Sequence, residues 1–393
     1  MKLAENDRMD SIYLDHNATT PVRPEVVDAI LHCCRDGLAN PASQHRLGQK
    51  ARQMLEDARE RIAEILGASL GGSTADRLVF TSGGTEANNL SILGICRAQA
   101  AKGPGHLILS AIEHACVIQP ASRLLEEGWR LDTLPVTRDG VVQAERTSDF
   151  LQADTRLVSV LLGNHETGVL QPLESIVRQC NAAGVPVHTD AAQVVGKLPV
   201  DFHRLGVAAM SVAAHKFGGP VGIGALVARR DVAIEPILYG GPQQQGLRPG
   251  TEPVALAVGM RVALELWEKN QSAHAEHLRS LRDRFEREVR RALPETVVHG
   301  AAVDRVPQTT SMAFPGLDAQ VLLVALDMAG VACSVGSACS SGSAEVSPTL
   351  LAMGMPKALA AASMRFSFGY TTTLDEVDEA VRRIVRLVGE LTA

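Results

Sequence analysis

The chain has 393 residues, 46% hydrophobic and 21% charged, with a formal net charge of −6 and the two signs mixed along its length. That size suits a large domain plus a smaller one, and the charge leaves no basic face for nucleic acid. No apolar run approaches the ~18–20 residues of a bilayer span, and the charged first ten residues lack the apolar segment of a signal peptide. The expectation is a cytoplasmic protein with neither membrane nor nucleic-acid partners.

Seven cysteines are present and no two form a CxxC pair, so neither a zinc nor a redox motif is expected and no metal site is assigned. Cys96 and Cys116 have apolar neighbours and read as small core residues.

Tyr13-Leu14-Asp15 reads as a short strand entering a polar turn, and Pro24 opens a helix to about residue 34. Apolar positions from 49 to 66 have helical spacing, with Gly67 as the stop. A strand over 78–81 then runs into Ser82-Gly83-Gly84-Thr85-Glu86-Ala87-Asn88-Asn89 and a helix over 90–98. Strand, glycine turn and helix start form a cradle for an anion such as phosphate, with Gly84 backbone and the Thr85 hydroxyl as donors. It is neither GxGxxG nor a P-loop.

Further strands are predicted over 107–109, 157–162, 185–188, 208–214 and 222–228, with a helix over 117–127. Strands alternating with helices predict an α/β fold with a parallel sheet covered on both faces. The strand ends carry Thr85, His114, Asn164 with His165, Asp190 with Gln193, and His215 with Lys216. Parallel strands put these ends on one edge, where open α/β sheets bind ligands. Lys216, between an apolar strand and Gly218, Gly219 and Gly222, is placed to lose its proton and act as an amine nucleophile.

A polar glycine-rich loop over 240–251 precedes helices over 253–267 and 273–292; arginines on the second alternate with acids, as on a solvated face. The remainder reads as a smaller α+β unit, with strands over 311–314 and 331–333 and a helix over 319–328. A last helix opens on a capping box, Thr373 with Glu376. Cys333 reads as structural. Cys339 lies in Gly336-Ser337-Ala338-Cys339-Ser340-Ser341-Gly342-Ser343, which cannot build a packed core, so a mobile loop over about 334–347 is expected to carry a reactive thiol.

In order, SGGTEANN, EH, NHETG, HTDAAQ, AAHKFGGPVGIGAL, GLRPGTEPV and GSACSSGS resemble the NifS/IscS-type cysteine desulfurases, class V aminotransferase-like enzymes that use pyridoxal phosphate (PLP). The resemblance runs from YLDHNATTPV onward. It implies the PLP-dependent transferase fold of type I, with a mainly parallel seven-stranded sheet. The large PLP-binding domain would span 20–260, and 1–19 with 261–393 would form the small domain.

The resemblance also assigns roles. Lys216 would hold PLP as a Schiff base and move the substrate's Cα proton. Asp190 would pair with the pyridinium nitrogen, making the ring an electron sink. His114 would stack on the ring, and Gln193 would bond its phenolic oxygen. Gly84, Thr85 and His215 would hold the phosphate, and Thr251 would reach the phosphate of a neighbouring subunit in a homodimer. Arg365 would grip the substrate carboxylate, Asn164 would contact substrate, and Cys339 would take the sulfur of L-cysteine and pass it to an acceptor protein.

Two positions depart from the family pattern: His165 replaces an asparagine and would supply one cofactor bond, and Ala213 replaces a phosphate-binding serine. The rival readings are a selenocysteine lyase, an aminotransferase, and a non-enzymatic sulfur carrier.

Overall fold

The protein is described by a computed structural model covering residues 11–36, 39–72, 75–100, 103–336 and 346–392. A seven-stranded sheet organises it, in the order Arg77–Thr81, Gly224–Ala228, Ala209–Ala213, Val187–Asp190, Thr155–Ser159, His106–Ser110, Arg130–Leu134. Gly224–Ala228 pairs antiparallel with both neighbours, and the remaining pairs are parallel. One reversed strand leaves the six others pointing the same way. The C-terminal ends of Arg77–Thr81, His106–Ser110, Thr155–Ser159, Val187–Asp190 and Ala209–Ala213 therefore share an edge.

Period-two alternation divides the interior into two cores. Leu107 and Leu109 face a core completed by Leu90, Ile92 and Ile95 of helix Gly84–Ala98 and by Val117 and Leu124 of helix Ala115–Glu126. Ile108, Val158 and Met210 face the other, covered by helices Arg46–Ile65, Leu173–Ala182 and Val254–Glu268.

A third core lies against a separate three-stranded antiparallel sheet, Ser363–Ser367, Thr309–Ala313 and Val297–Val298. Leu278, Leu281, Phe285 and Val289 of helix Gln271–Ala292 recur at helical spacing on it, as do Val377, Val381, Ile384 and Val388 of helix Leu374–Thr392. Phe285 packs on Phe366 with ring centroids 4.8 Å apart. The expected capping box forms: the Thr373 N–H donates to Glu376 Oε2 at 2.7 Å, and the Glu376 N–H to Thr373 Oγ1 at 3.2 Å.

The N-terminal stretch joins this third core. Ile12–Tyr13 pairs in parallel with Val331–Ala332, and Asp15 bridges to Ser367. The Asn17 N–H donates to Ser367 Oγ at 2.8 Å and its Nδ2 to Thr309 Oγ1 at 2.8 Å. Among the described residues no helix is long and apolar enough to cross a membrane.

Several boundaries differ from the sequence expectation. The helix expected from residue 90 begins at Gly84; Glu86 in its first turn suits the positive end of the helix dipole and accepts the Ser82 N–H at 2.6 Å. Strands expected over 157–162 and 185–188 lie at Thr155–Ser159 and Val187–Asp190. Strand Arg130–Leu134 was not expected: it is an edge strand, and Arg130, Asp132 and Thr133 interrupt its apolar pattern.

Beneath the shared edge, His188 ties three strands together. Ser159 Oγ lies 2.8 Å from its Nδ1 and Ser211 Oγ 3.0 Å from its Nε2. Burial pushes the His188 pKa down to about 4. Between pH 6.5 and 4 the unfolded chain therefore binds the proton that the folded one refuses, so stability falls with pH, by on the order of 3 kcal/mol from this group. The expected result is a steep loss of melting temperature below pH 6.5 that His188→Gln flattens, read by calorimetry across pH.

Candidate active site

A cavity of about 330 Å³ opens at the C-terminal edge of the sheet. Gly84 and Thr85 line it from the first helix turn, Asp190 from a strand end, His114 from the cap of helix Ala115–Glu126, and Gln193, His215 and Lys216 from the loops beyond. His165 and Arg365 complete its wall.

The cradle at Gly84 depends on glycine twice. Gly83 adopts φ 157°, ψ −177°, a region that only glycine visits readily. A Cβ at Gly224 on the facing strand would sit 2.7 Å from the Gly83 carbonyl carbon. Ala213 lines the cavity beside this cradle. Ser211 does not substitute for a hydroxyl there, because it is fully buried and committed to His188.

Lys216 lies on a single 3-10 turn, Ala214–Lys216, that closes strand Ala209–Ala213. Its Nζ donates to the backbone oxygens of Asn17 at 2.6 Å and Ala18 at 2.9 Å. Asp190 ends strand Val187–Asp190. Its Oδ1 accepts the Ala192 N–H at 2.9 Å, and its Oδ2 accepts Asn88 Nδ2 at 2.7 Å.

His114 caps helix Ala115–Glu126. The Cys116 N–H donates to His114 Nδ1 at 3.1 Å, and Cys116 Sγ lies 2.8 Å from the same nitrogen. A nitrogen that accepts an N–H carries no proton, so neutral His114 holds its own on Nε2. Cys116 corrects the sequence reading: it lines the cavity, and its Sγ lies 3.9 Å from Asp190 Oδ2. Burial holds the Cys116 thiol above its usual pKa, keeping it protonated.

His165 stands edge-on to His114, with ring centroids 5.0 Å apart. Burial, then the nearby His114, Arg365 and Lys216, push its pKa well down, so it is neutral. His215 is pushed down to about 4 by burial, with Lys216 and Lys197 adding to the effect. Behind His114, burial raises the Glu113 carboxyl to about 8; its Oε1 accepts from Ser110 Oγ at 2.5 Å and from the Leu161 N–H at 2.8 Å.

Arg365 sits on strand Ser363–Ser367. Its Nη2 pairs with Asp15 at 2.7 Å and its Nη1 donates to the His165 carbonyl at 3.1 Å, while its buried Nε has no partner among the described residues. Gln193 donates Nε2 to the Asn17 carbonyl at 3.1 Å and keeps Oε1 buried and, among the described residues, unpaired. These two orphaned groups border a cavity with room for a ligand that would satisfy them.

Two expected site residues lie elsewhere, and a third is not described. Asn164 is fully buried outside the cavity lining: its Oδ1 accepts the N–H groups of Glu166 and Thr167 at 2.9 Å, and its Nδ2 donates to the Ile112 carbonyl at 3.1 Å. It shapes the loop that presents His165, instead of offering a bond to a ligand. Thr251 is exposed and outside the cavity of its own chain. Cys339 lies outside the described residues. On either side of that stretch, Ser347 Oγ donates to Glu166 Oε2 at 2.5 Å, and a Cβ on Gly336 would lie 2.9 Å from the same oxygen. Asn17 and Asn88 were missed as site residues; their only sequence signal was a polar residue in a turn or on a helix beside the motifs.

Comparison with known proteins agrees with this geometry. The "Aminotransferase class-V" family profile matches residues 12–380. The chain is 38% identical over 380 residues to cysteine desulfurase IscS of Dictyoglomus turgidum, covering 97% of this chain and 95% of that protein. It is 40% identical over 375 residues to an IscS-like cysteine desulfurase of Mycobacterium tuberculosis, covering 94% of each. A solved NifS-like protein superposes with a TM-score of 0.89 at 31% identity, covering 97% of this chain and 100% of that one.

Proposed function

The chain belongs to the class-V aminotransferase family, among its cysteine desulfurases, and we propose that it converts L-cysteine to L-alanine with PLP bound in the cavity at Lys216, leaving sulfur on Cys339. The observation that carries this reading is the meeting of one lysine amine, one carboxylate and three histidines in a single cavity beside a glycine cradle.

The residues fit PLP. Lys216 Nζ would hold it covalently, and the Asp190 carboxylate would keep a proton on its ring nitrogen. Gly84, Thr85 and His215 would bind its phosphate at the positive end of helix Gly84–Ala98. The unpaired Gln193 Oε1 and the face of His114 are available to its ring. When bound, PLP supplies an electron sink for a carbanion at the substrate's α-carbon.

The chain's own groups do the rest. Arg365 binds the α-carboxylate through the unpaired Nε side of its guanidinium. The Lys216 amine takes the proton from Cα. His114 carries a proton on Nε2 for transfer within the cavity. The Cys339 thiolate attacks the substrate sulfur: an S–S bond forms, the carbon–sulfur bond breaks, and its electron pair stays with the carbon that becomes alanine's methyl group. A thiol or an acceptor protein then collects the sulfur.

We further place the protein in the cytoplasm as a homodimer. Leu238 and Tyr239 are exposed apolar residues directly before the loop that carries exposed Thr251. A partner subunit covering them would bring Thr251 to its neighbour's phosphate.

The test is mass spectrometry of the purified protein fed sulfur-labelled cysteine. One added sulfur is expected on the Cys339 peptide, absent in Cys339→Ser while PLP absorbance persists; label on another cysteine would overturn the assignment. Arg365→Lys is expected to raise KM for cysteine about 10–100-fold, because a charged hydrogen bond contributes about 1.5–3 kcal/mol. Steady-state kinetics check it.

A further inference from the structure

A second cavity touches Lys216 and shares no other lining residue with the active site. It lies where the sheet core meets the small core. Thr20, Arg23, Lys197 and Lys216 line it from one side, and His274 and Tyr370 from the other. Its volume of about 20 Å³ takes one small sphere, a water or a halide ion.

No carboxylate lines this cavity. Lys197 is 5% exposed and its Nζ has no hydrogen-bond partner among the described residues. Arg23 stacks its guanidinium over the Tyr370 ring at 4.2 Å, with its Nε buried and unpaired among the described residues. His16, close enough to feel the charge of Lys197, keeps Nδ1 buried and unpaired. Burying an uncompensated cation is costly, and here cationic and donor groups converge on one void from two parts of the fold.

We propose that this cavity is a binding site for a single small monovalent anion of halide type, held by Lys197 and Arg23 at the junction of the two cores. The anion supplies the counter-charge that the fold omits and offsets, at Lys216, the positive field of Lys197.

The groups facing Lys197 are Lys216, Arg23, His274, His16, His215 and Tyr370, with His277 and Glu25 further out, acting on His274 and Arg23. Burial first, then Lys216, brings Lys197 down to about 7, and burial holds His274 and His16 near 4. Anion binding therefore draws a proton onto Lys197, and affinity rises as pH falls through neutrality.

The test is anomalous diffraction from crystals of the PLP-loaded enzyme grown with bromide in place of chloride, paired with chloride NMR line-broadening in solution. One bromide peak in contact with Lys197 Nζ is expected, with line-broadening that strengthens as pH falls and is lost in Lys197→Met. Arg23→Gln is the second variant, expected to weaken the broadening without removing the fold seen by circular dichroism. A water in place of the peak, a peak retained in Lys197→Met, or broadening indifferent to both substitutions overturns the proposal.

Discussion

Replacing Lys216 by alanine is expected to abolish covalent capture of PLP and to lower cysteine turnover by at least about 10⁴-fold, the upper range for loss of a positioned proton-transfer group. Two roles fall on this one amine. It sits on the turn that ends Ala209–Ala213, held by the Asn17 and Ala18 carbonyls. Those carbonyls orient Nζ without supplying a carboxylate that would hold its proton permanently. Lys216→Arg keeps the charge but cannot give up its proton, so it is expected to be as inactive as the alanine variant. Borohydride reduction followed by peptide mass spectrometry checks the covalent role: the reduced cofactor should map to Lys216 in the parent and to no peptide in either variant. Turnover retained by Lys216→Ala would end this reading of the site.

The second large effect is at Asp190. Asp190→Asn is expected to lower kcat/KM by about 10²–10⁴-fold, since breaking a buried charge pair costs about 3–5 kcal/mol. The amide would keep the Ala192 N–H bond to Oδ1, but it could not hold a proton on the ring nitrogen. Its new N–H₂ would also face Asn88 Nδ2, which donates to Oδ2 in the parent. Two donors would then compete, so Asn88 must turn its oxygen inward. Changing Asn88 to Asp alongside Asp190→Asn moves the carboxylate to the neighbouring side chain at position 88 and is expected to leave activity low, because charge at the wrong place does not polarise the ring. Kinetics and the absorption spectrum of both variants check this.

Much of this was legible in the chain because parallel strands end in polar clusters, and a shared edge gathers them. Lys216, Asp190, His114 and Gly84 needed only strand direction to meet. Asn164 was misread because a polar residue in a loop has two employments, and here its amide is spent on the N–H groups of Glu166 and Thr167. Cys116 was misread for the opposite reason: apolar neighbours along the chain concealed a side chain that helical geometry turns toward His114. Strand Arg130–Leu134 escaped because an edge strand needs only one apolar face. The second cavity had no signature, since Arg23, Lys197 and His274 are widely separated and meet only when the two cores pack.

The pairing of Ile12–Tyr13 with Val331–Ala332, and of Asp15 with Ser367, has a consequence for biosynthesis. Ile12–Tyr13 must wait for Val331–Ala332 to be synthesised before it finds its place, and Asn17, whose carbonyl steadies Lys216, is anchored by Ser367. Such distant contacts form late and slowly. A nascent chain can thus assemble its central sheet while translation continues, yet it gains a closed catalytic chamber only once Ser367 has left the ribosome.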